Sequence, residues 1–275
     1  DISIGQVLRR LPGITVSDAG QISYKGQPIK NFYIEGLDLM KGRYGIATNN
    51  IDPNSISTIE VLENHQDIKA LKDLKPEERA SINLKLKSGV KGVFNLIATL
   101  GGGYVDKLLW DNELITTYFQ RNSQLLATYK GNNSGTDLES ELRSHTDYDY
   151  SRTSTISDIA MPATPGINKR YYYFNQSHSA TYNQVFRVGK NGELGINAAY
   201  LNDRDERSNQ SVTTTLLPDG SKNVVDESFN GILHRNIANG NITYMQNTER
   251  NYIKEQLKFD WLSTDGYSNI YAGED

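Results

Sequence analysis

The chain has 275 residues, of which 29 are Lys or Arg and 33 are Asp or Glu, giving a net charge of −4. This balance offers no basic excess for binding nucleic acid. The sequence has no cysteine, which excludes disulfides and cysteine-based zinc sites. It has no run of 18 apolar residues either. No transmembrane helix is therefore predicted, although strands that expose apolar side chains on one face could still cross a membrane.

Residues 1–90 have the short, mixed elements of an α/β unit. Ser3 is a suitable N-cap for a helix with an apolar stripe over residues 4–11, and Pro12 and Gly13 end that helix. A second helix is predicted over residues 68–74, where Ile68, Leu71 and Leu74 recur at helical spacing before Pro76. Short strands are predicted at 14–16, 21–24, 31–35, 56–62 and 81–87.

From residue 91 onward the sequence alternates with a period of two. Leu194, Ile196, Ala198 and Tyr200, for example, alternate with small or polar residues. Because successive side chains of a strand point to opposite faces, this pattern predicts strands with one apolar face. Seven are predicted: 92–105, 109–121, 123–132, 169–188, 193–205, 229–246 and 251–262.

The connections between these strands alternate in length. Short links lie at 121–123, 190–192 and 248–250, whereas 133–168 and 206–228 are long and polar; the short link at 106–108 is an exception. Short turns at one end and long loops at the other are typical of outer-membrane barrels, whose long loops are extracellular. Such barrels have aromatic girdles near both strand ends, where Tyr104, Trp110 and Tyr200 are predicted to lie.

Seven strands are too few and odd in number for a closed bacterial barrel. An open sheet would leave unpaired backbone groups in lipid, which is costly. The chain begins with Asp1 and shows no signal peptide. We therefore expect it to be part of a larger barrel protein that extends beyond both ends of this sequence.

Four motifs in residues 2–87 resemble the plug domain of TonB-dependent outer-membrane receptors. They are QVLRRLPGI at 6–14, ISYKG with FYIEG at 22–26 and 32–36, IDPNSISTIEVL at 51–62, and SINLKLK at 81–87, directly before the first long strand. Their order matches the family. Residues 91–275 resemble the family only in their alternation of polar and apolar residues and in the lengths of their connections. The opening is similar to receptors that carry a preceding regulatory domain, the SusC-like relatives found in glycan-foraging bacteria.

Two departures from the family pattern stand out. Glu35 occupies a position where the family usually has Asp, and residues 65–79 are charged and lack glycine where the family has a compact glycine turn. The resemblance implies a plug domain at 1–90, held inside a barrel whose first strands are 91–275. It also implies that TonB pulls a segment preceding the plug, the TonB box, which is absent from this sequence.

The resemblance also implies a substrate site on the extracellular side of the plug and on the barrel loops. Candidate substrate-binding residues in the loop 38–50 are Arg43, Tyr44, Asn49 and Asn50, and those in the loop 133–168 are Tyr148, Tyr150 and Arg152. Aromatic and amide side chains suit sugars or peptides. The competing interpretation of both segments is a solvated polar loop with no ligand.

No motif of an enzyme or of a metal site is recognisable. Asp147 with Asp149, and Asp203 with Asp205, have the spacing of calcium-loop fragments but lack the downstream Gly and Glu. The four histidines have no zinc-site spacing, and no serine lies in a nucleophile-elbow motif. We expect no enzymatic activity, no metal and no cofactor.

The sequence thus predicts an α/β plug with a small mixed sheet and short helices, followed by antiparallel barrel strands in the outer membrane. Its function would be energised nutrient uptake, with TonB, a nutrient, membrane lipid and a possible surface lipoprotein as partners. The alternative is a surface-displayed binding or adhesion protein with an α/β module and a β-sandwich. In a sandwich the apolar faces would pack on a second sheet; in a barrel they would face outward. The substrate stays open between siderophore, cobalamin, oligosaccharide and peptide.

Overall fold

Two small sheets and two helices organise the chain up to residue 90, here called the N-terminal unit. The computed structural model describes residues 3–72, 74–75, 77–145 and 159–274. The elements of the N-terminal unit are α1 (Ile4–Leu8), β1 (Ile14–Val16), β2 (Ile22–Tyr24), β3 (Gln27–Pro28), β4 (Phe32–Ile34), α2 (Tyr44–Asn50), β5 (Ile56–Leu62) and β6 (Ser81–Leu86). Strands β1, β2 and β3 form an antiparallel sheet, and β6 lies between β4, its parallel partner, and β5, its antiparallel partner.

Seven long strands follow and form one antiparallel sheet, here called the large sheet. They are β7 (Phe94–Val105), β8 (Lys107–Phe119), β9 (Ser123–Asn132), β10 (Phe174–Val188), β11 (Gly192–Leu216), β12 (Lys222–Asn247) and β13 (Tyr252–Glu274). Each strand pairs with its sequence neighbour, so the order across the sheet is the order along the chain. In the described part of the connection between β9 and β10 one short helix forms, α3 (Glu139–Leu142). In the described part of the chain, no helix has the length and apolar character needed to span a membrane.

The number and the antiparallel pairing of these strands confirm the sequence prediction, but several boundaries were wrong. Residues 206–228, predicted as a polar loop, continue the β11–β12 hairpin in unbroken register from Glu206 to Leu216. Strand β13 likewise continues to Glu274 instead of ending at residue 262. The threonine and valine residues of this extension have high β propensity, but the many polar residues around them made the segment look like a loop. Residues 169–171, predicted as strand, form a 3-10 turn capped by the Asn168 side chain.

Both predicted helices also differ from the structure. Helix α1 ends at Leu8, not at residue 11, and the side chain of Ser3 makes no capping hydrogen bond. The helix predicted over 68–74 is wrong, because only a 3-10 turn, Lys69–Leu71, forms there. Leu74 is 79% exposed. The apolar side chains of this segment therefore have no core to pack against. Short helices depend on such packing for their stability, so no helix forms here.

The two faces of the large sheet are reversed relative to those of a soluble protein. On the apolar face, Phe94, Leu96, Leu257 and Phe259 are 61%, 58%, 69% and 62% exposed. Leu194 and Ile196, on the same face, are half-buried. The opposite face buries polar side chains, which are Thr117, Gln124, Thr128, Asn132, Asn175, Ser177, Ser179, Thr181, Asn183, Asn197, Asp203, Asp205, Asn239 and Thr243. We call the first the exposed face and the second the covered face.

The N-terminal unit packs on the covered face. Its buried core includes Phe32, Ile34 and Leu84 from the second small sheet, and it continues into covered-face residues such as Leu126 and Val185. The same cluster takes in Ile4, Leu8 and Ile46, so helices α1 and α2 share it. The described residues of the large sheet thus pack on the α/β unit with the face that carries their buried polar side chains.

Two glycines make a close contact that holds α2 against the turn before β2. Gly20 has φ +79°, and a Cβ there would lie 2.6 Å from the Gly45 Cα and 2.6 Å from the Thr48 Oγ1. Gly26 has a nearly equal φ of +81° with nothing within 4 Å of its Cβ position. The two glycines therefore need the same left-handed backbone conformation. They differ in that an added Cβ would clash only at Gly20.

We predict that Gly20→Ala destabilises the N-terminal unit by about 2 kcal/mol more than Gly26→Ala, because only the first adds the cost of overpacking. Urea-dependent proteolysis of the full-length protein in detergent measures the difference. Equal losses in the two variants would show that the Gly20–Gly45 contact tolerates a methyl group and does not limit packing.

Candidate functional site

Two side-chain amides of the covered face donate hydrogen bonds to backbone carbonyls of the N-terminal unit. The Gln124 Nε2 donates to the Ile34 carbonyl at 2.7 Å, and the Asn197 Nδ2 donates to the Leu39 carbonyl at 2.9 Å. Both amide side chains are buried. Buried donors of this kind are costly to leave unpaired, so the two bonds fix segment 34–39 against β9 and β11.

Charged contacts extend this attachment along the segment that follows. The Lys41 Nζ lies 3.6 Å from the Glu193 Oε2, and the buried Arg43 guanidinium donates to the Asn239 Oδ1. Segment 34–43 therefore crosses strands β9, β11 and β12 while it stays bonded to each of them. The N-terminal unit is thus held on the covered face of the large sheet by these hydrogen bonds and charged contacts.

Three of the four candidate binding residues of segment 38–50 are buried in this interface. Arg43 and Asn50 are buried, and Tyr44 lies with its ring 5.9 Å from the Phe32 ring and 4.8 Å from the His145 ring, measured between centroids. Asn49 is half-buried. The predicted loop is in part the helix α2, so these side chains face the interior of the protein and leave Asn49 with the most accessible surface. Whether any of them binds a substrate stays a prediction.

A loop between β9 and β10 covers α2 from the other side. The Asn49 Nδ2 donates to the Glu141 Oε1 at 3.2 Å, and the His145 backbone N–H donates to the Gly42 carbonyl at 3.0 Å. Glu141 also accepts from the Lys130 Nζ at 2.8 Å. Burial lowers the pKa of His145; the Ala19 carbonyl partly offsets this, and the nearby Arg143 charge lowers the pKa further. The imidazole is therefore neutral at neutral pH.

A buried ion cluster joins the same loop to the large sheet, and sequence reasoning missed it. Arg235 on β12 donates to Glu139 of α3 at 2.8 Å and to Asp203 on β11. Asp203 also accepts from Ser177 at 2.6 Å and from the Tyr173 hydroxyl. The carboxylates of Asp203 and Glu139 thus share one guanidinium, the arrangement in which buried charges are tolerated.

The aspartates considered as calcium-loop fragments are paired with arginines. Asp203 is held by Arg235, and Asp205 by Arg207 at the next position on the same face. Within the described ranges no cluster of three metal-ligating side chains is present. Asp147 and Asp149 lie outside the described residues, as do the candidate binding residues Tyr148, Tyr150 and Arg152, which stay predictions.

Glu35 stands where the family pattern usually has Asp. It lies in the turn after β4, with a positive φ of +51°. Its carboxylate accepts the Leu86 backbone N–H at 2.6 Å and lies 3.1 Å from the Lys91 Nζ. Burial raises the pKa of Glu35, but these two contacts outweigh it, so the pKa lies below its usual value. The longer side chain therefore joins the end of β6 to the first residue after the N-terminal unit.

The charged segment 65–79, the second departure from the family pattern, is attached to the large sheet through its first part. We call residues 64–72 the clasp. The Asn247 Nδ2 donates to the Asp67 carbonyl at 2.7 Å, and the Lys69 backbone N–H donates to the Asn247 Oδ1 at 3.0 Å. The Lys69 Nζ donates to the Asn191 Oδ1 at 3.2 Å. Lys30 of the N-terminal unit pairs with Asp67. The clasp is thus bonded both to the unit and to two hairpin turns of the sheet.

Comparison with known proteins finds similar solved structures only. No family model matches the chain, and no curated protein matches it. The alcaligin outer-membrane receptor FauA of Bordetella pertussis is 13% identical over 98% of this chain and 45% of its own, with a TM-score of 0.29. The ferripyoverdine receptor of the Pseudomonas aeruginosa outer membrane is 14% identical over 98% and 37%, with a TM-score of 0.30. The ferric citrate transporter FecA is 10% identical over 100% and 55%, with a TM-score of 0.29.

The chain spans roughly half, or less, of these solved structures. By their names, two are outer-membrane receptors and one is a transporter. Likeness at this level of identity and TM-score does not assign the chain to a family.

Proposed function

We propose that the chain is the plug domain, residues 1–90, and the first seven barrel strands, within residues 91–275, of a TonB-dependent outer-membrane transporter. Its role is the energised uptake of a nutrient through a plugged barrel. The N-terminal unit is the plug, the covered face of the large sheet lines the lumen, and the exposed face meets lipid.

The observation that carries this proposal is the reversal of the two faces of the large sheet. A sheet in water buries its apolar face and exposes its polar one, because burial of apolar surface drives folding. Here Leu96, Leu257 and Phe259 are exposed while Gln124 and Asn197 are buried. Lipid is the solvent in which such an exposed face is stable, and apolar-out with polar-in alternation is the pattern of transmembrane barrels.

The length of the strands and an aromatic row support the same orientation. Strand β9, the shortest of the seven, has 10 residues, about the number that a tilted strand needs to cross the hydrocarbon core. On the exposed face, the Trp110 ring lies 5.2 Å from the His178 ring, and the Tyr129 hydroxyl lies 2.9 Å from the His178 Nδ1. On the same face, Tyr200 donates to Asn236 at 2.9 Å. Amphipathic rings with polar partners suit the membrane–water boundary.

The alternative, a surface-displayed adhesion or binding protein with a β-sandwich, is less well supported. A sandwich requires the apolar faces of two sheets to pack on each other about 10 Å apart. In the described residues the apolar face of the large sheet has no second sheet against it, and the packed face holds polar side chains bonded to the N-terminal unit.

The substrate and the partners are inferred less directly. The solved structures above carry alcaligin, ferripyoverdine and ferric citrate in their names, so small chelates are candidates here, beside the oligosaccharides and peptides that the sequence motifs suggest. Asn49 on the plug and the extracellular loop 133–168 are the positions we propose for substrate contact. TonB, acting on a segment outside this sequence, and a surface lipoprotein are the proposed protein partners.

Growth and binding of a deletion strain complemented with the full-length gene test this function. We expect at least one nutrient, from a panel of ferric chelates, cobalamin, oligosaccharides and peptides, to support growth only when both this gene and TonB are present. A strain that binds a ligand at its surface but shows no TonB-dependent growth on any nutrient would favour the adhesion alternative and overturn the transport proposal.

A further inference from the structure

A cavity of about 730 Å³ lies between the N-terminal unit and the covered face. Asn31, Tyr33 and Asn83 line it from the N-terminal unit, and Glu193 and Thr243 line it from β11 and β12. Polar side chains stand on both walls, so the space can hydrogen-bond a hydrophilic solute.

The clasp forms part of the wall of this cavity, beside the short turns at 189–191 and 248–251. Its residues Asn64, Asp67 and Lys69 belong to the lining, as do Asn191 and Asn247 of the adjoining strand ends. The Asn247 amide bonds to the clasp backbone as both donor and acceptor, through the Asp67 carbonyl and the Lys69 N–H. The Asn247 side chain therefore makes both hydrogen bonds between the large sheet and the clasp backbone, beside the side-chain contacts of Lys69 with Asn191 and of Asp67 with Lys30.

The clasp is attached more weakly than the rest of the N-terminal unit. Among residues 63–72 no side chain is fully buried. The attachments at Gln124 and Asn197, in contrast, are fully buried amides within the packed interface. Segments with few buried apolar contacts and accessible hydrogen bonds open at lower free energy than the core does. The clasp can therefore detach while the bonds to β9 and β11 remain.

We propose that the clasp is the gate at the periplasmic exit of a solute passage between the plug and strands β11–β13, opened by release from Asn247. This inference rests on the proposed transport function and names the place in the protein where the solute passage opens. The clasp bonds to residues beside the β10–β11 and β12–β13 turns. These turns lie at the end of the sheet opposite the long connection between β9 and β10, and in outer-membrane barrels the long loops are extracellular, so this is the proposed periplasmic end. The passage accepts a hydrophilic solute and opens by a local movement, with the remainder of the plug held.

The test measures access to the cavity with a thiol reagent, so it needs no known substrate. The sequence contains no cysteine, and Thr243→Cys places one near-isosteric thiol on the cavity wall. Outer-membrane fragments that carry the full-length protein, in which the periplasmic face is open to solvent, are treated with fluorescein maleimide. We expect Asn247→Ala to raise the labelling rate of this thiol by about tenfold, since it removes both hydrogen bonds between the large sheet and the clasp backbone.

Two variants are the controls, each with Thr243→Cys in the background. Asn251→Ala alters the neighbouring turn without touching the clasp, and Gln124→Ala weakens the plug attachment at the distant strand β9. Labelling in both is expected to stay within about twofold of the parent, because neither removes a clasp hydrogen bond. Heat-modifiable mobility on gels confirms that each variant is folded.

An unchanged labelling rate in Asn247→Ala would overturn the gate. An equal rise in Gln124→Ala would also overturn it, because the whole plug would then loosen together. Either result leaves the transport proposal standing, since that proposal depends on TonB-dependent growth and not on labelling.

Discussion

Replacing Arg235 by methionine should lower the free energy of unfolding by about 3–5 kcal/mol, the cost of breaking a buried ion pair from one side. The substitution leaves the Asp203 and Glu139 carboxylates buried without their shared cation. The Asp203 side chain is 2% exposed and that of Glu139 is 10% exposed, so solvent cannot replace the guanidinium. Urea unfolding of the full-length protein in detergent, followed by tryptophan fluorescence, measures the loss.

A second arginine on the neighbouring strand is the matched control. Arg204 pairs with Glu206 at 2.8 Å, but both side chains are at least one-third exposed. Arg204→Met should therefore cost about 1 kcal/mol or less, as exposed ion pairs do. A triple variant that adds Asp203→Asn and Glu139→Gln to Arg235→Met should recover part of the loss by removing the stranded charges. Equal losses from Arg235→Met and Arg204→Met would show that the cluster is not buried in the folded protein.

The ion cluster was beyond prediction from the sequence for a definite reason. Arg235 is 32 residues from Asp203 and 96 residues from Glu139. Their meeting depends on the register between β11 and β12 and on a loop that turns back onto the covered face. Alternation reveals which face a residue belongs to, but it does not reveal which residues lie opposite each other.

The strands themselves were predictable, because each alternates in polarity over the part that crosses the proposed membrane. The extension of β11 and β12 beyond residue 205 was not, since its sequence shows no sustained alternation of polar and apolar residues. Helix α2 was missed for a related reason. Its sequence, YGIATNN, contains a glycine and two asparagines, which have low helix propensity, and tertiary packing overrides this.

The clasp shows where a resemblance to a family stops being informative. Its charged residues replace the family's glycine turn, and their apolar spacing predicted a helix that does not form. Lys30, Asp67 and Asn247 hold the segment through polar contacts with distant parts of the chain. Such contacts leave no periodic signal in the local sequence, so neither pattern nor motif could place this segment.

An arginine introduced on the exposed face tests the membrane orientation directly, and Leu257 is the position of choice. It is five residues beyond Tyr252, the start of β13, or about 16 Å along the strand. With a barrel strand's usual tilt this is about 12 Å of height, half of a 25 Å apolar band. Leu257→Arg should therefore destabilise the inserted protein by about 2–4 kcal/mol, the cost of a cation at the bilayer midplane.

The adjacent residue supplies the control. Gln256 lies on the other face of the same strand, where its Nε2 donates to the Asn241 Oδ1 at 2.9 Å. Gln256→Arg introduces the same charge at the same height but toward the proposed lumen, where water solvates it. The yield of heat-modifiable protein in outer-membrane fractions should fall for Leu257→Arg and stay near the parent level for Gln256→Arg. If both variants assembled equally well, the exposed face would be in contact with water, and the reversed sheet would need an explanation other than lipid.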